Sequence, residues 1–87
     1  MLHGVIVFEV HLTPGADDQD LLTDEIRQET QAQVMTAEEA KVIGFTGFPD
    51  DPNLRLIAVT RQHQRWIEKA LERAPHVRAY QPHDVDM

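Results

Sequence analysis

The chain has 87 residues, of which 41% are hydrophobic and 26% charged, and it contains no cysteine. This composition is typical of one globular domain, and it excludes both a disulfide-dense scaffold and a cysteine-ligated zinc site. The net charge of −7 argues against binding to nucleic-acid backbones, which depends on basic residues. The first apolar run ends at Glu9, too early for a signal peptide or a membrane span of roughly 20 residues. We therefore expect a cytoplasmic protein that binds neither nucleic acid nor membranes and uses no cofactor.

The first predicted element is a strand over residues 4–12, because side chains there alternate in character. Ile6 and Phe8 would lie on one face, and Val7 and Glu9 on the other. Acidic residues and a narrow apolar stripe predict a helix within residues 17–33. The chain thus begins with a strand followed by a helix.

Residues 34–48 support two interpretations. The run of strand formers over 41–47, followed by the turn-forming residues 49–53, favours a β-hairpin. The alternative is a short helix, because Thr36 and Glu39 match a capping box and Gly44 is suited to end a helix. We expect the hairpin over 41–47.

The last third of the chain predicts a strand, a helix and a strand. Residues 54–60 are rich in branched apolar side chains, residues 61–74 have an apolar arc at helical spacing, and residues 77–81 resume an extended pattern. The whole chain then predicts an α+β fold, a ferredoxin-like βαββαβ sandwich over residues 1–82, with 83–87 as a C-terminal tail. In that fold two helices cover one face of a four-stranded antiparallel sheet.

The uncovered sheet face is the basis of the predicted function. Apolar side chains on such a face mark a contact surface, and four are expected there: Val5, Val7, Ile57 and Val59. We therefore expect a homo-oligomer, most simply a dimer, that acts as a protein-interaction or regulatory module rather than as an enzyme.

Basic residues recur at every fourth position along the second predicted helix. They are Arg61, Arg65, Lys69 and Arg73. This row is suited to docking an acidic protein partner, including the acidic first helix of another copy, and the alternative is an ordinary solvated flank.

A small-molecule enzyme of the dimeric α+β barrel type is the alternative function. If the last strand pairs beside the first, four groups suited to acid–base chemistry share one surface: Glu9, His11, Arg78 and Tyr80. An ordinary set of polar cross-strand pairs is the simpler explanation of the same residues. The five histidines have no close His-x-His or helical i, i+4 spacing, so no metal site is expected.

The stretch Thr13-Pro-Gly-Ala16 provides a third hypothesis. It resembles the strand-Pro-Gly-helix opening of ACT regulatory domains, which are ligand-sensing modules of the ferredoxin-like fold. The resemblance covers Val5–Leu22 and, more faintly, Leu71–Tyr80. It implies an ACT-like ligand-sensing domain with Pro14 and Gly15 at the ligand site, whereas the residues alone also fit a tight turn.

Overall fold

The structure, a computed structural model, describes residues 4–15 and 21–85. Its strands are β1 (Val5–Leu12), β2 (Gln33–Met35), β3 (Leu54–Thr60) and β4 (Val77–Val85). Its helices are α1 (Asp24–Thr30), α2 (Ala37–Val42) and α3 (Gln64–Arg73), the last preceded by one 3-10 turn at Arg61–His63. Over these described ranges, every helix falls short of the length and apolar character that a membrane crossing requires.

The four strands form one antiparallel sheet in the order β2-β3-β1-β4. The predicted α+β class, with a four-stranded antiparallel sheet, is confirmed. β1 lies in the interior of the sheet, where Ile6 pairs with Val59 of β3 and Val7 pairs with His83 of β4. Because paired residues point to the same face, these registers decide which side chains share a surface.

One face of the sheet packs against α1 and α3. The contacts are made by Ile26 of α1 and by Ile67 and Leu71 of α3, which lie over Ile6 and Phe8. Thr23 begins α1 by accepting a hydrogen bond from the backbone N–H of Ile26, at 3.2 Å, as an N-cap residue does. The buried residues on this face form the larger of the two hydrophobic clusters in the described part of the chain.

The opposite face is covered near β3 by α2 and the segment after it. Ala40 of α2, together with Phe45 and Phe48, packs against Val7 and Leu56. Alanine has a small side chain, so α2 lies close to the sheet at this point. The prediction that the second face of the sheet is bare is therefore wrong.

The predicted hairpin over 41–47 is also wrong, and the short helix is found instead. Thr36 accepts a hydrogen bond from the Glu39 backbone N–H at 3.1 Å, and the Glu39 carboxylate accepts one from Thr36 N–H at 2.9 Å. Gly44 follows the helix with a φ of +98°, which glycine adopts without strain. The strand of this region is β2, which lies before the helix.

β4 extends beyond the predicted end of the domain. Asp84 pairs with Ile6 and Val85 with Val5, so residues 83–85 belong to the sheet rather than to a tail. The remaining two residues of the predicted tail, 86 and 87, lie outside the described residues.

Candidate functional site

A carboxylate between two imidazoles lies on the sheet face opposite α1 and α3. Nε2 of His11 is 2.8 Å from Oε2 of Glu9, and Nε2 of His83 is 3.0 Å from Oε1 of the same carboxylate. Glu9 and His11 are two residues apart on β1 and therefore share a face, while His83 lies diagonally across on β4. The sheet register alone brings the three side chains together.

The surroundings of Glu9 favour its ionised form. Partial burial acts to raise its pKa, but the hydrogen bonds from His11 and His83, together with their charges, lower the pKa below the usual value of 4.5. The Glu9 side chain is 19% exposed, whereas those of His11 and His83 are 38% and 36% exposed. The site therefore holds a shielded carboxylate with two rings open to solvent.

Phe48 supports the outer side of this cluster. Its ring meets the His83 ring nearly edge-on, with centroids 5.4 Å apart and an interplanar angle of 84°. The segment after α2 thus connects the apolar cover of the sheet to the polar cluster beside it.

The predicted four-residue acid–base set is only half assembled. Glu9 and His11 are together, but Tyr80 pairs with Val10 and lies on the α3 side of the sheet, where its ring is 6.1 Å from that of Phe8. Arg78 has no partner in the register, because His11 pairs with Ala79 and Leu12 with Val77 at a β-bulge. The predicted convergence of these four residues is wrong.

Tyr80 instead bonds to α3. Its hydroxyl donates to a carboxylate oxygen of Glu72 at 2.8 Å. This hydrogen bond, followed by partial burial and by the negative charges of Glu72 and Glu68, raises the pKa of Tyr80 above 10. Tyr80 therefore links β4 to α3 through this hydrogen bond and lies on the face of the sheet opposite His11 and His83.

Sequence reasoning missed His83 as a member of the cluster because it was assigned to a tail. The alternation of Ala79, Gln81 and His83 continues the pattern of the last strand and was a usable signal. Within residues 4–15 and 21–85, no group of three or more His, Asp or Glu side chains is arranged to hold a metal ion.

The four side chains predicted to form an exposed interface are divided between the two faces. Ile57 and Val59 pair with Phe8 and Ile6, so they lie beneath α1 and α3, with exposures of 0% and 4%. Val7 is 0% exposed and lies under the opposite cover, with Val5 half-buried beside it. The predicted bare apolar face is wrong.

Pro14 and Gly15 form an exposed turn after β1, and Gly15 has a φ of +85°. The residues that would open a helix directly after it, 16–20, lie outside the described residues. In the described part of the chain the first helix begins at Asp24, and ligand binding at this turn stays a prediction.

The helices α1 and α3, which pack on one face of the sheet, are called here the helical layer, and a groove of about 400 Å³ runs between them on its outer side. Leu21 and Ile26 lie on its α1 side, and Trp66 and Ala70 lie on its α3 side. Trp66 is 43% exposed, a large value for the chain's single tryptophan. Lys69 and Arg73 place two positive charges along this apolar groove.

The predicted basic row on α3 is exposed, and its members differ in their partners. Arg61 donates to Asp84 at 2.9 Å and so belongs with β4. The side chains of Arg65, Lys69 and Arg73 have no hydrogen-bond or ion-pair partner among the residues that the structure describes. Three unpaired positive charges thus lie on the helix that forms one wall of the groove.

Comparison of the chain with protein-family models, with curated proteins and with solved structures finds no match.

Proposed function

We propose that this chain is a small protein-interaction module whose docking surface is the groove between α1 and α3, called here the helical groove. It is lined by Leu21, Thr23, Ile26, Trp66, Lys69, Ala70, Arg73, Ala74 and Pro75. The observation that carries the proposal is the half-exposed Trp66 beside Lys69 and Arg73, two bases that have no partner in the described chain. A partner that fits is an acidic surface with an apolar side chain at its centre.

The chemistry of the groove matches that of known interface centres. Tryptophan and arginine are enriched among the residues that dominate binding energy, because each combines a large apolar area with a polar end. Lys69 and Arg73 would select an acidic partner and raise its association rate. Trp66 would supply the apolar area that is removed from water on binding.

Self-association remains part of the proposal, but with a different surface from the one the sequence predicts. The sheet face is covered near β3, and its other half carries Glu9, His11 and His83 rather than apolar side chains. The helical layer is the part of the described chain that combines an exposed aromatic ring with unpaired charge.

We further infer that the fold is ferredoxin-like with one added helix. The antiparallel strand order β2-β3-β1-β4 supports this, as does the succession of β1, α1, β2, β3, α3 and β4 once α2 is set aside. A cytoplasmic location stays an expectation from the sequence.

A second candidate function is acid–base chemistry at Glu9, and it differs from the predicted enzyme site by including His83. The observation that favours it is the pair of hydrogen bonds that hold two part-exposed imidazoles on one carboxylate. A carboxylate that orients an imidazole is the arrangement of many general bases. Exchanging Glu9 for glutamine would then abolish any activity found without disturbing binding at the helical groove.

The interaction proposal is tested by titrating the chain with a synthetic helical peptide that carries leucine on one face and glutamate on the other. Because Trp66 is the single tryptophan, its fluorescence reports on the groove directly. We expect a blue shift on binding, and an affinity about fivefold weaker for Lys69→Glu, since an exposed ion pair is worth up to about 1 kcal/mol.

Two controls accompany this titration. Arg78→Glu makes the same charge change at an exposed site on β4 and should bind the peptide as the parent chain does. A peptide with lysine in place of glutamate should bind weakly. Equal affinity for both peptides, or no response of Trp66, would remove the proposal.

A further inference from the structure

We infer that the partner seated on the helical groove is a second copy of this chain, related by a two-fold axis that runs along the groove. This inference rests on the proposed function, and it names the partner of the same surface. The resulting contact is isologous, with α1 of each copy lying on α3 of the other.

Charge complementarity within the helical layer identifies the occupant. Asp24, Glu25 and Glu29 of α1 are exposed, and none has a hydrogen-bond or ion-pair partner in residues 4–15 and 21–85. Arg65, Lys69 and Arg73 of α3 are exposed and equally unpaired there. A single chain therefore carries exposed acids on α1 and exposed bases on α3, the two helices on either side of the groove, and the acids of one copy are complementary to the bases of another.

The direction of the two helices allows these charges to meet. Thr23, at the start of α1, lines the same groove as Arg73, at the end of α3. Rotation by 180° about the groove axis exchanges left and right but keeps the position along the groove. Asp24 and Glu25 of one copy would then lie at the level of Lys69 and Arg73 of the other.

The apolar part of the contact includes Trp66. Because the rotation keeps the position along the groove, both Trp66 rings lie at the same level, at the end of the groove away from Arg73 and Pro75. The large apolar area of an aromatic ring makes it a frequent anchor of protein interfaces.

The size of the surface indicates a weak dimer. Helices of seven and ten residues are about 10 and 15 Å long and about 10 Å wide, so the layer covers on the order of 300 Å² per copy. Stable interfaces bury about 800 Å² per partner. We therefore expect a weak, transient dimer that exchanges with the monomer.

Other surfaces of the described chain are less suited to pairing two copies. The free edge of β4 contains Pro82, which has no backbone N–H to donate, and β2 is only three residues long. Val42 and Ile43 are exposed beside β2, but the pocket that they line with Arg27 and Glu39 contains no aromatic side chain.

The test is a charge exchange between two variants, followed by sedimentation velocity in about 0.15 M salt. At that ionic strength the screening length is about 8 Å, which suppresses the mutual repulsion of two chains of net charge −7 but leaves pairs in contact. The variants are Asp24→Lys with Glu25→Lys, and Lys69→Glu with Arg73→Glu.

Each variant alone should be monomeric, because like charges then face each other across the two-fold axis. An equimolar mixture should form a one-to-one heterodimer. There the reversed α1 of one variant meets the reversed α3 of the other, and the two unreversed helices meet as in the parent chain, so that both contacts join opposite charges. Glu38→Lys and Arg78→Glu reverse exposed charges outside the helical layer, serve as controls for charge reversal itself, and should dimerise like the parent chain. Circular dichroism is used to check that every variant is folded.

A parent chain that stays monomeric at 1 mM, or a mixture that stays monomeric while the parent dimerises, would overturn the inference. The proposed function is separable from it. If the parent chain is monomeric but binds the acidic peptide with a change in Trp66 fluorescence, the groove is a docking site for another protein. If the parent chain neither dimerises nor binds the peptide, both proposals are removed.

Discussion

At the scale of single residues, the two hydrogen bonds to Glu9 make its ionisation part of the stability of the fold. The pKa of Glu9 is lower in the folded chain than its usual value of 4.5, which applies to the unfolded chain. The stabilisation is therefore fully present above about pH 4.5 and is lost as the pH falls through the lower, folded value.

Exchange of Glu9 for glutamine measures this contribution. Near pH 5.5 we expect the variant to be about 1 kcal/mol less stable, because a part-exposed, charge-assisted pair of hydrogen bonds is worth roughly that amount. Urea denaturation at pH 5.5 and pH 3 tests this. The difference between the two chains should shrink at pH 3, and a difference that is the same at both pH values would contradict the role given to the ionised carboxylate.

Tyr80 offers a second test at this scale, because it is the chain's single tyrosine. Its hydrogen bond to Glu72 raises its pKa above 10, so ultraviolet absorbance should show phenolate forming at a higher pH than in a free tyrosine. Glu72→Gln removes the negative charge and should bring the midpoint back towards 10. An unchanged midpoint would mean that β4 and α3 are not joined at this position.

At the scale of elements, the sequence predicts β1 and α3 because their side chains follow a clear period, and it predicts β3 because residues 54–60 are rich in branched apolar side chains. The strand over residues 54–60 nevertheless does not reveal which face its side chains occupy. Leu56 and Ile57 are both fully buried although they point to opposite faces, because the sheet is covered on both sides at β3. A strand buried on both faces lacks the alternation that specifies register, and a shift by one residue exchanges its faces.

The region of α2 was mispredicted because two local signals compete there. Val42 and Ile43 are strand formers by composition, yet they are 84% and 56% exposed in the structure. The capping box at Thr36 and Glu39 and the turn at Gly44 determine the local structure instead. The burial of Ala40 against the sheet is a tertiary contact that no local pattern contains.

Because α2 covers the sheet, we expect two aspartate substitutions to change the free energy of unfolding by very different amounts. Val7→Asp places a charge in a fully buried site and should lower the free energy of unfolding by more than about 3 kcal/mol. Val42→Asp makes the same change at a residue that is 84% exposed and should alter it by less than about 0.5 kcal/mol.

Thermal and urea denaturation of both variants distinguish this structure from a sheet with a bare face. In the bare-face arrangement predicted from the sequence, Val7→Asp would give a folded chain that has only lost its partner. A Val7→Asp protein with parental stability would therefore contradict the covered sheet.

At the scale of the whole molecule, polar and apolar groups are divided among three surfaces. The helical layer carries Trp66, exposed acids on α1 and exposed bases on α3, one half of the opposite sheet face is covered by α2, and the other half carries Glu9 hydrogen-bonded to His11 and His83. The exposed acids of α1 and the exposed bases of α3 thus lie in one layer, because both helices pack on the same face of the sheet.

Nitrogen–proton correlation spectra of the labelled chain, recorded from 20 µM to 1 mM, test the central claim most directly. Trp66 gives the single indole signal, which provides an isolated probe of the helical groove. We expect concentration-dependent shifts at that signal and along α1 and α3, with β4 and the residues around Glu9 unchanged. Shifts confined to the face that bears Glu9, or to Val42 and Ile43 beside β2, would contradict the assignment of the helical layer as the docking surface.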